Sequence, residues 1–303
     1  MIIPEKINIA FRAGLGDISI CYSAPFSKPL SRTACNWLKY TWQNECPYVI
    51  SLKEKYPFVK VRAVICTTCN HTHELFKYNP YFDEISNYSW TEYSESFLER
   101  RSLGLPYLNE LPELKATLEQ KRMQFFLSPE EKLVEISQPY VGLHLFAGDD
   151  ERRWFDKIGY DGFYRLVDLI VDAGFNVVLL GGNSKRHEVG HYKEIQEVFS
   201  YDRLNVYNLL DKYSVRLHCD VVSHARAMIG TISCYCSLAT KFNVPVFLVA
   251  PAWQRCLYEG EDGGEENIFA EMKKQGTWIN YQDGDGNFAA ELENLETFLK
   301  GLK

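Results

Sequence analysis

The chain has 303 residues, 46% of them hydrophobic and 24% charged, with a formal net charge of -7. That length allows two domains with their own cores, and the balance excludes a disordered or fibrous protein. The acidic excess removes any global electrostatic reason to bind nucleic acid, leaving at most a local basic groove.

In chain order, KINIAF reads as a first strand that runs into AFRAGLGDIS, residues 10–19, where two glycines and an acid share four positions. A long aromatic, proline-bearing insertion, at 25–58 by its composition, then fills the chain before VRAVICT (61–67), and it does not resolve into elements. VRAVICT is a strand; HELFKYNPYFDEIS is a helix ending at Asn79-Pro80, followed by another short strand. A polar helix near 112–127 and LSPEEKLVEISQP form the crossing between domains.

From residue 140 the pattern becomes regular. YVGLHL (140–145) is a buried strand, and DGFYRLVDLIVDAGF sets Phe163, Leu166, Val167, Ile170 and Val171 on one helix face that Gly174 terminates. NVVLLGG (176–182), a polar helix over 186–199, LNVYN, a helix over 213–225, AMIG, a helix from Ser233 to Phe242, and PVFLVA continue the alternation. A helix over 288–300 ends the chain. Alternating strands and helices with short links make a parallel sheet covered on both faces. The fold class is therefore α/β: two Rossmann-like domains, residues 1–137 and 138–285, with parallel sheets facing across a cleft. Residues 286–303 stand apart as a helix free to pack back on the first domain.

No apolar run approaches the roughly 18 to 20 residues of a membrane span, and MIIPEKIN lacks the layout of a secretory signal. Nine cysteines, an odd number scattered through regular elements, fit free thiols in a reducing compartment. The expectation is a cytoplasmic protein without stable membrane insertion, with peripheral contact at the inner face of the membrane left open.

Gly14-Leu15-Gly16 lets the backbone turn sharply after a strand and approach a ligand. As a dinucleotide fingerprint it fails, because Ser19 stands where the third glycine belongs. Asp17 has two readings from the residues alone: a first-turn acid facing the helix dipole, or a general base at the mouth of a cleft. Cys66 and Cys69 with His71 and His73 lack the second distant pair that a zinc site needs, and DGDGN (283–287) lacks the later ligands of a calcium loop. No metal site is expected.

Four segments together resemble glycosyltransferase family 9, the family of the lipopolysaccharide heptosyltransferases. They are INIAFRAGLGDISICYSAP, LFKYNPYFDEIS, VGLHLFAGDDERRWFDKIGYDGFYRLVDLIVDAGFNVVLLGG and ARAMIGTISCYCSLATKFNVPVFLVAPA, spread over residues 6–252. The resemblance implies a GT-B architecture, with a nucleotide-sugar donor on the carboxyl-terminal domain, an acceptor on the amino-terminal one, and no cofactor or metal. It places Asp17 on the family's candidate base. Arg152 or Arg153, preceding Trp154, matches its basic contact to the donor phosphates. Gly230, Thr231, Ser233, Cys234 and Tyr235, at the amino end of a helix, match its phosphate loop. There the sequence departs from the pattern: Ile232 and Ser237 stand where the family has an aspartate and a histidine, which leaves the sugar undefined.

Gly181, Gly182 and Asn183 end a strand at the same edge, and either face the nucleotide or simply make a tight turn. Gly14 and Gly16, with Lys28 and Arg32 of the insertion, are the acceptor-side candidates. The activity implied is a hexosyl-, heptosyl- or pentosyltransferase, inverting, with a surface glycan such as lipopolysaccharide core as acceptor. A modified DNA base or a protein is the alternative acceptor. A nucleotide-sugar epimerase and a non-catalytic nucleotide-sugar-binding protein are the rivals from other classes.

Overall fold

Short runs of Ile, Val and Phe bounded by polar turns build the first sheet of the computed structural model. It describes residues 2–12, 41–67, 72–89, 102–121, 126, 135–145, 154–181, 201–210, 212, 214–231, 234–251, 277–282 and 288–302. The chain divides into two units, Met1–Glu131 and Lys132–Lys303.

In the first unit, β1 (Lys6–Arg12), β2 (Lys60–Thr67) and β3 (Glu84–Ser89) lie parallel in that order. Ile7, Ile9, Ala10 and Phe11 are all fully buried, so β1 is covered on both faces, as a parallel strand requires. Phe11, Phe76 and Phe82 form one aromatic cluster, with ring centroids 4.4 to 5.7 Å apart. The side of β1 away from β2 is closed by other groups. Asn8 donates its backbone N–H to the Pro106 carbonyl (2.9 Å), and its side-chain amide donates to the carbonyls of Ser102 (2.9 Å) and Leu105 (3.1 Å). The Ala10 N–H donates to the Glu45 carboxyl at 3.2 Å.

Glu45 belongs to a 3-10 helix, Thr41–Tyr48, that continues into α1 (Val49–Lys55), whose Val49, Ile50 and Leu52 are buried. Part of the unreadable insertion is thus helix against β1.

Two expected helices shrink. HELFKYNP forms only a single 3-10 turn, Thr72–Phe76, ended by Tyr78 at a φ of 68° and by Asn79, whose side chain accepts from the Tyr81 N–H. In its described part the helix expected over 112–127 is limited to α2 (Pro112–Lys115), and 122–125 and 127 lie outside the described residues. The chain beyond it bonds elsewhere: Lys121 N–H donates to Pro47 O (2.7 Å), Glu119 N–H to Ser51 Oγ (3.0 Å), and Gln120 Nε2 to the Tyr48 hydroxyl (2.9 Å). These tertiary partners outweigh the weak preference of a polar segment for continuing a helix.

The second unit carries six parallel strands: β4 (Tyr140–His144), β5 (Asn176–Leu179), β6 (Val206–Asn208), β7 (Ala227–Thr231), β8 (Val246–Pro251) and β9 (Trp278–Gln282). Their order is β6-β5-β4-β7-β8-β9, a doubly wound sheet whose order reverses between β4 and β7. β9 escapes the sequence reading because WINYQ mixes large apolar and amide residues.

Its helices are α3 (Trp154–Asp172), α4 (Val215–His224), α5 (Cys234–Lys241) and α6 (Phe288–Gly301). In α3 four residues of the expected stripe, Phe163, Leu166, Val167 and Ile170, are fully buried, the fifth, Val171, is only partly buried, and Gly174 stops the chain at a φ of 91°. Ser214 caps α4 by accepting the Leu217 N–H at 3.3 Å. The polar helix expected over 186–199 lies outside the described residues.

The last helix is an integral part of this unit. Leu295, Phe298, Leu299 and Leu302 join the core of α3 and the sheet, and Phe298 lies 5.6 Å from Phe247. Trp154 Nε1 donates to the buried Glu291 carboxylate at 2.7 Å, tying the start of α3 to α6. Among the described residues no helix is long and apolar enough to cross a membrane.

Candidate functional site at the switch point of the second sheet

Where the strand order of a doubly wound sheet reverses, the two flanking helices leave opposite faces and a crevice opens at the carboxyl ends of the strands. Here those ends are His144 of β4 and Gly230-Thr231 of β7, with Leu180-Gly181 following β5 alongside. Three of the residues picked out in the sequence, Gly181, Gly230 and Thr231, therefore converge on one strand, β4.

Their chemistry follows from space. A Cβ built on Gly230 would lie 2.1 Å from the His144 carbonyl oxygen, so only glycine allows β7 to run this close to the end of β4. Gly181 has a φ of 149°, and a Cβ there would meet Leu210 at 3.1 Å and His144 Nδ1 at 3.3 Å. Thr231 is 1% exposed, and its hydroxyl has no hydrogen-bond partner among the described residues. An orphaned hydroxyl is costly to bury, so its place at a strand end is notable. α5 begins three residues later at Cys234, which is half-buried. The first N–H groups of a helix point outward unpaired and carry a partial positive charge, which suits an anion.

Two histidines beneath this edge, His144 and His218, escaped the sequence reading. His144 is buried and its Nδ1 lies 2.8 Å from the Leu180 carbonyl. A carbonyl only accepts, so Nδ1 carries the proton. The His144 ring meets Tyr235 of α5 edge-on, with centroids 4.8 Å apart. Tyr235, counted among the phosphate-loop residues, is itself buried, and its hydroxyl lies 2.7 Å from Nδ1 of the buried His218 on α4. His218 Nε2 lies 3.0 Å from the Leu209 carbonyl and must donate to it, so in the neutral ring Nδ1 accepts from the Tyr235 hydroxyl. The available signal was a polar residue ending an otherwise apolar strand, YVGLH, at the point where the order reverses.

The remaining candidates, Gly14, Gly16, Asp17, Lys28, Arg32, Arg152, Arg153, Gly182, Asn183 and Ser233, lie outside the described residues. Trp154, next to Arg153, is 1% exposed and packs in the core. Among the described residues no group of three or more His, Cys, Asp or Glu side chains is placed to hold a metal ion. His73, weighed for zinc, accepts from Asn87 Nδ2 at 3.3 Å if its Nδ1 is unprotonated.

Two α/β units built on parallel sheets, one of them doubly wound with glycines at its switch point, define a GT-B type of protein. The model of glycosyltransferase family 9 (heptosyltransferase) matches residues 83–247, more than half of the chain, and the chain belongs to that family. It is a glycosyltransferase by membership. Its fold is similar to the crystal structure of the glycosyl transferase family 9 from Veillonella parvula DSM 2008, at 11% identity over 98% of this chain and 97% of that one, with a TM-score of 0.56. It is also similar to E. coli heptosyltransferase WaaC, solved with ADP (11% identity, 98% and 100% covered, TM-score 0.55). E. coli ADP-heptose lps heptosyltransferase II matches comparably (13% identity, 98% and 99% covered, TM-score 0.52). No curated protein matches the chain by sequence.

Proposed function

We propose that this glycosyltransferase moves a sugar from a nucleoside-diphosphate sugar to an acceptor hydroxyl, with inversion and without a metal ion. The single observation that carries the donor half is the switch point, where Gly181 and Gly230 bring backbone close together and the buried Thr231 hydroxyl has no partner among the described residues, ahead of α5. An incoming diphosphate is a suitable partner for such a hydroxyl and for the helix N–H groups. The relative of like fold solved with ADP supports the same choice of ligand.

In this reading the second unit holds the donor and the first the acceptor. Arg152 or Arg153 forks onto the diphosphate and stabilises the negative charge that develops as it leaves. Gly182, Asn183 and Ser233 complete the donor edge. Gly14 and Gly16 shape the turn that carries Asp17, and Lys28 and Arg32 receive a phosphate-bearing acceptor. Asp17 removes the proton from the acceptor hydroxyl as its oxygen attacks the anomeric carbon from the face opposite the leaving diphosphate. The acceptor is a surface glycan of the lipopolysaccharide-core kind, met at the inner face of the membrane. Ile232 and Ser237 replace side chains that the family pattern uses, so the sugar differs in how its hydroxyls are held.

The test is Asp17→Asn. Transfer should fall by at least a hundredfold while nucleotide-sugar affinity, read by calorimetry, stays within about threefold. Retained transfer with bound donor would remove Asp17 from the chemistry. Incubation with donor alone separates the epimerase reading, which would release an altered sugar without any acceptor. Full activity after exhaustive chelation is the outcome that a metal-free mechanism requires.

A further inference from the structure

We propose that His144, Tyr235 and His218 form a positioning relay that sets the affinity of the switch-point site for a nucleoside diphosphate. The inference rests on the donor reading above and assigns it three residues that touch no substrate.

The relay joins elements that are far apart in sequence and meet at one edge. His144, the last residue of β4, donates to the Leu180 carbonyl and so holds the turn at Gly181 after β5. Its ring stands edge-on against Tyr235 in the first turn of α5. The Tyr235 hydroxyl donates to His218 on α4, whose ring packs 5.4 Å from it, and His218 donates to the Leu209 carbonyl just after β6. One chain of contacts, hydrogen bonds at both ends and an aromatic edge contact between His144 and Tyr235, thus runs from the end of β5, through β4, α5 and α4, to the end of β6.

All three side chains are buried, at 5% exposure or less, so each hydrogen bond acts in a low-dielectric surrounding where its geometry is strongly held. The two backbone segments it fixes, Gly181 and the amino turn of α5, are those that would approach a diphosphate. Ligand sites need their binding groups held to within a fraction of an ångström by packed neighbours. An apolar core would do this less well here, because Leu or Phe cannot specify a rotation about the strand axis as directed bonds do.

The experiment uses the full chain and titrates ADP, UDP, GDP and CDP by calorimetry, taking the tightest binder forward. Tyr235→Phe removes the hydroxyl that reaches His218 and keeps the ring against His144. Its Kd should rise about tenfold while the melting temperature moves by only a few degrees. His218→Asn retains an acceptor for Tyr235 and should lie nearer to wild type than His218→Leu. The double variant Tyr235→Phe/His218→Leu should bind no worse than His218→Leu alone, since both changes cut the same link. A merely structural role lowers the melting temperature of these variants and leaves the Kd of the folded fraction unchanged; that result overturns the relay. If His218→Leu does not fold, Tyr235→Phe and His218→Asn decide it. If the wild type binds none of the four nucleotides, the donor reading itself falls, and the relay with it.

Discussion

β1 and β4 are the same element met twice. Each opens its unit as a parallel strand buried on both faces, yet their edges are closed in opposite ways. β4 lies between β5 and β7 and has its backbone satisfied by other strands on both sides. Among the described strands β1 pairs with β2 alone, and on its other side its backbone donates to the Pro106 carbonyl and to a buried carboxyl, Glu45, while its own Asn8 amide donates to the carbonyls of Ser102 and Leu105. A strand enclosed by strands has its terminal side chain to spare, and His144 is used to organise the strand edge. An edge strand must recruit side chains merely to remain satisfied. The second unit should therefore answer to packing volume and the first to ionisation.

The largest expected effect is Gly230→Ala. The new methyl would overlap the His144 backbone oxygen, which cannot rotate away, so we expect a loss of about 3 kcal/mol or more. Thermal unfolding should record it, and hydrogen exchange should show lost protection in β4 and β7.

Next comes the pH dependence of the first unit. Burial raises the Glu45 pKa to about 8, outweighing the N–H groups of Asn109 and Ala10 that favour its charged form. The folded chain then holds a proton that the unfolded chain releases near pH 4.5. Stability from this group is fully present below that value and falls as pH rises towards 8. Between pH 6 and 9 the loss should be on the order of 2 kcal/mol, read as faster exchange of the Ala10 and Asn109 amides. Glu45→Gln should flatten the profile; an unchanged slope would place the titrating group elsewhere.

Within the second unit, Trp154→Phe removes the bond to the Glu291 side chain and should cost about 1 to 2 kcal/mol, since a buried acceptor loses a donor. The smallest change is Glu84→Gln, which ends the Lys6 ion pair at 2.6 Å between β1 and β3. Both partners are substantially exposed, so a shift beyond about 0.5 kcal/mol in denaturant unfolding would contradict the edge argument.

The second unit was the more legible because a covered parallel strand must be apolar along its whole length and its helices must repeat every three or four residues. YVGLH, NVVL, AMIGT and VFLVAP show the first rule, and Phe163, Leu166, Val167 and Ile170 the second. Gly230 and Thr231 could be picked out because they match a family pattern at a helix start. His144 and His218 were not readable, because a histidine's role depends on which carbonyl lies at its ring edge, and Leu180 and Leu209 are 36 and 9 residues away. The polar stretch after Lys115 misled for a related reason. Its composition suits a helix, but Ser51, Tyr48 and Pro47 offered its backbone and amide groups other partners.

By itself the sequence determined the α/β class, most of the strands, and the family, since periodicity, glycine placement and local motifs are properties of neighbouring residues. The order of the strands, the place of the last helix in the second core, the covering of β1 by Glu45, and the meeting of His144, Tyr235 and His218 were decided only by the tertiary structure. Each joins residues far apart in the chain, and only packing and burial fix which of the many available partners a polar group receives.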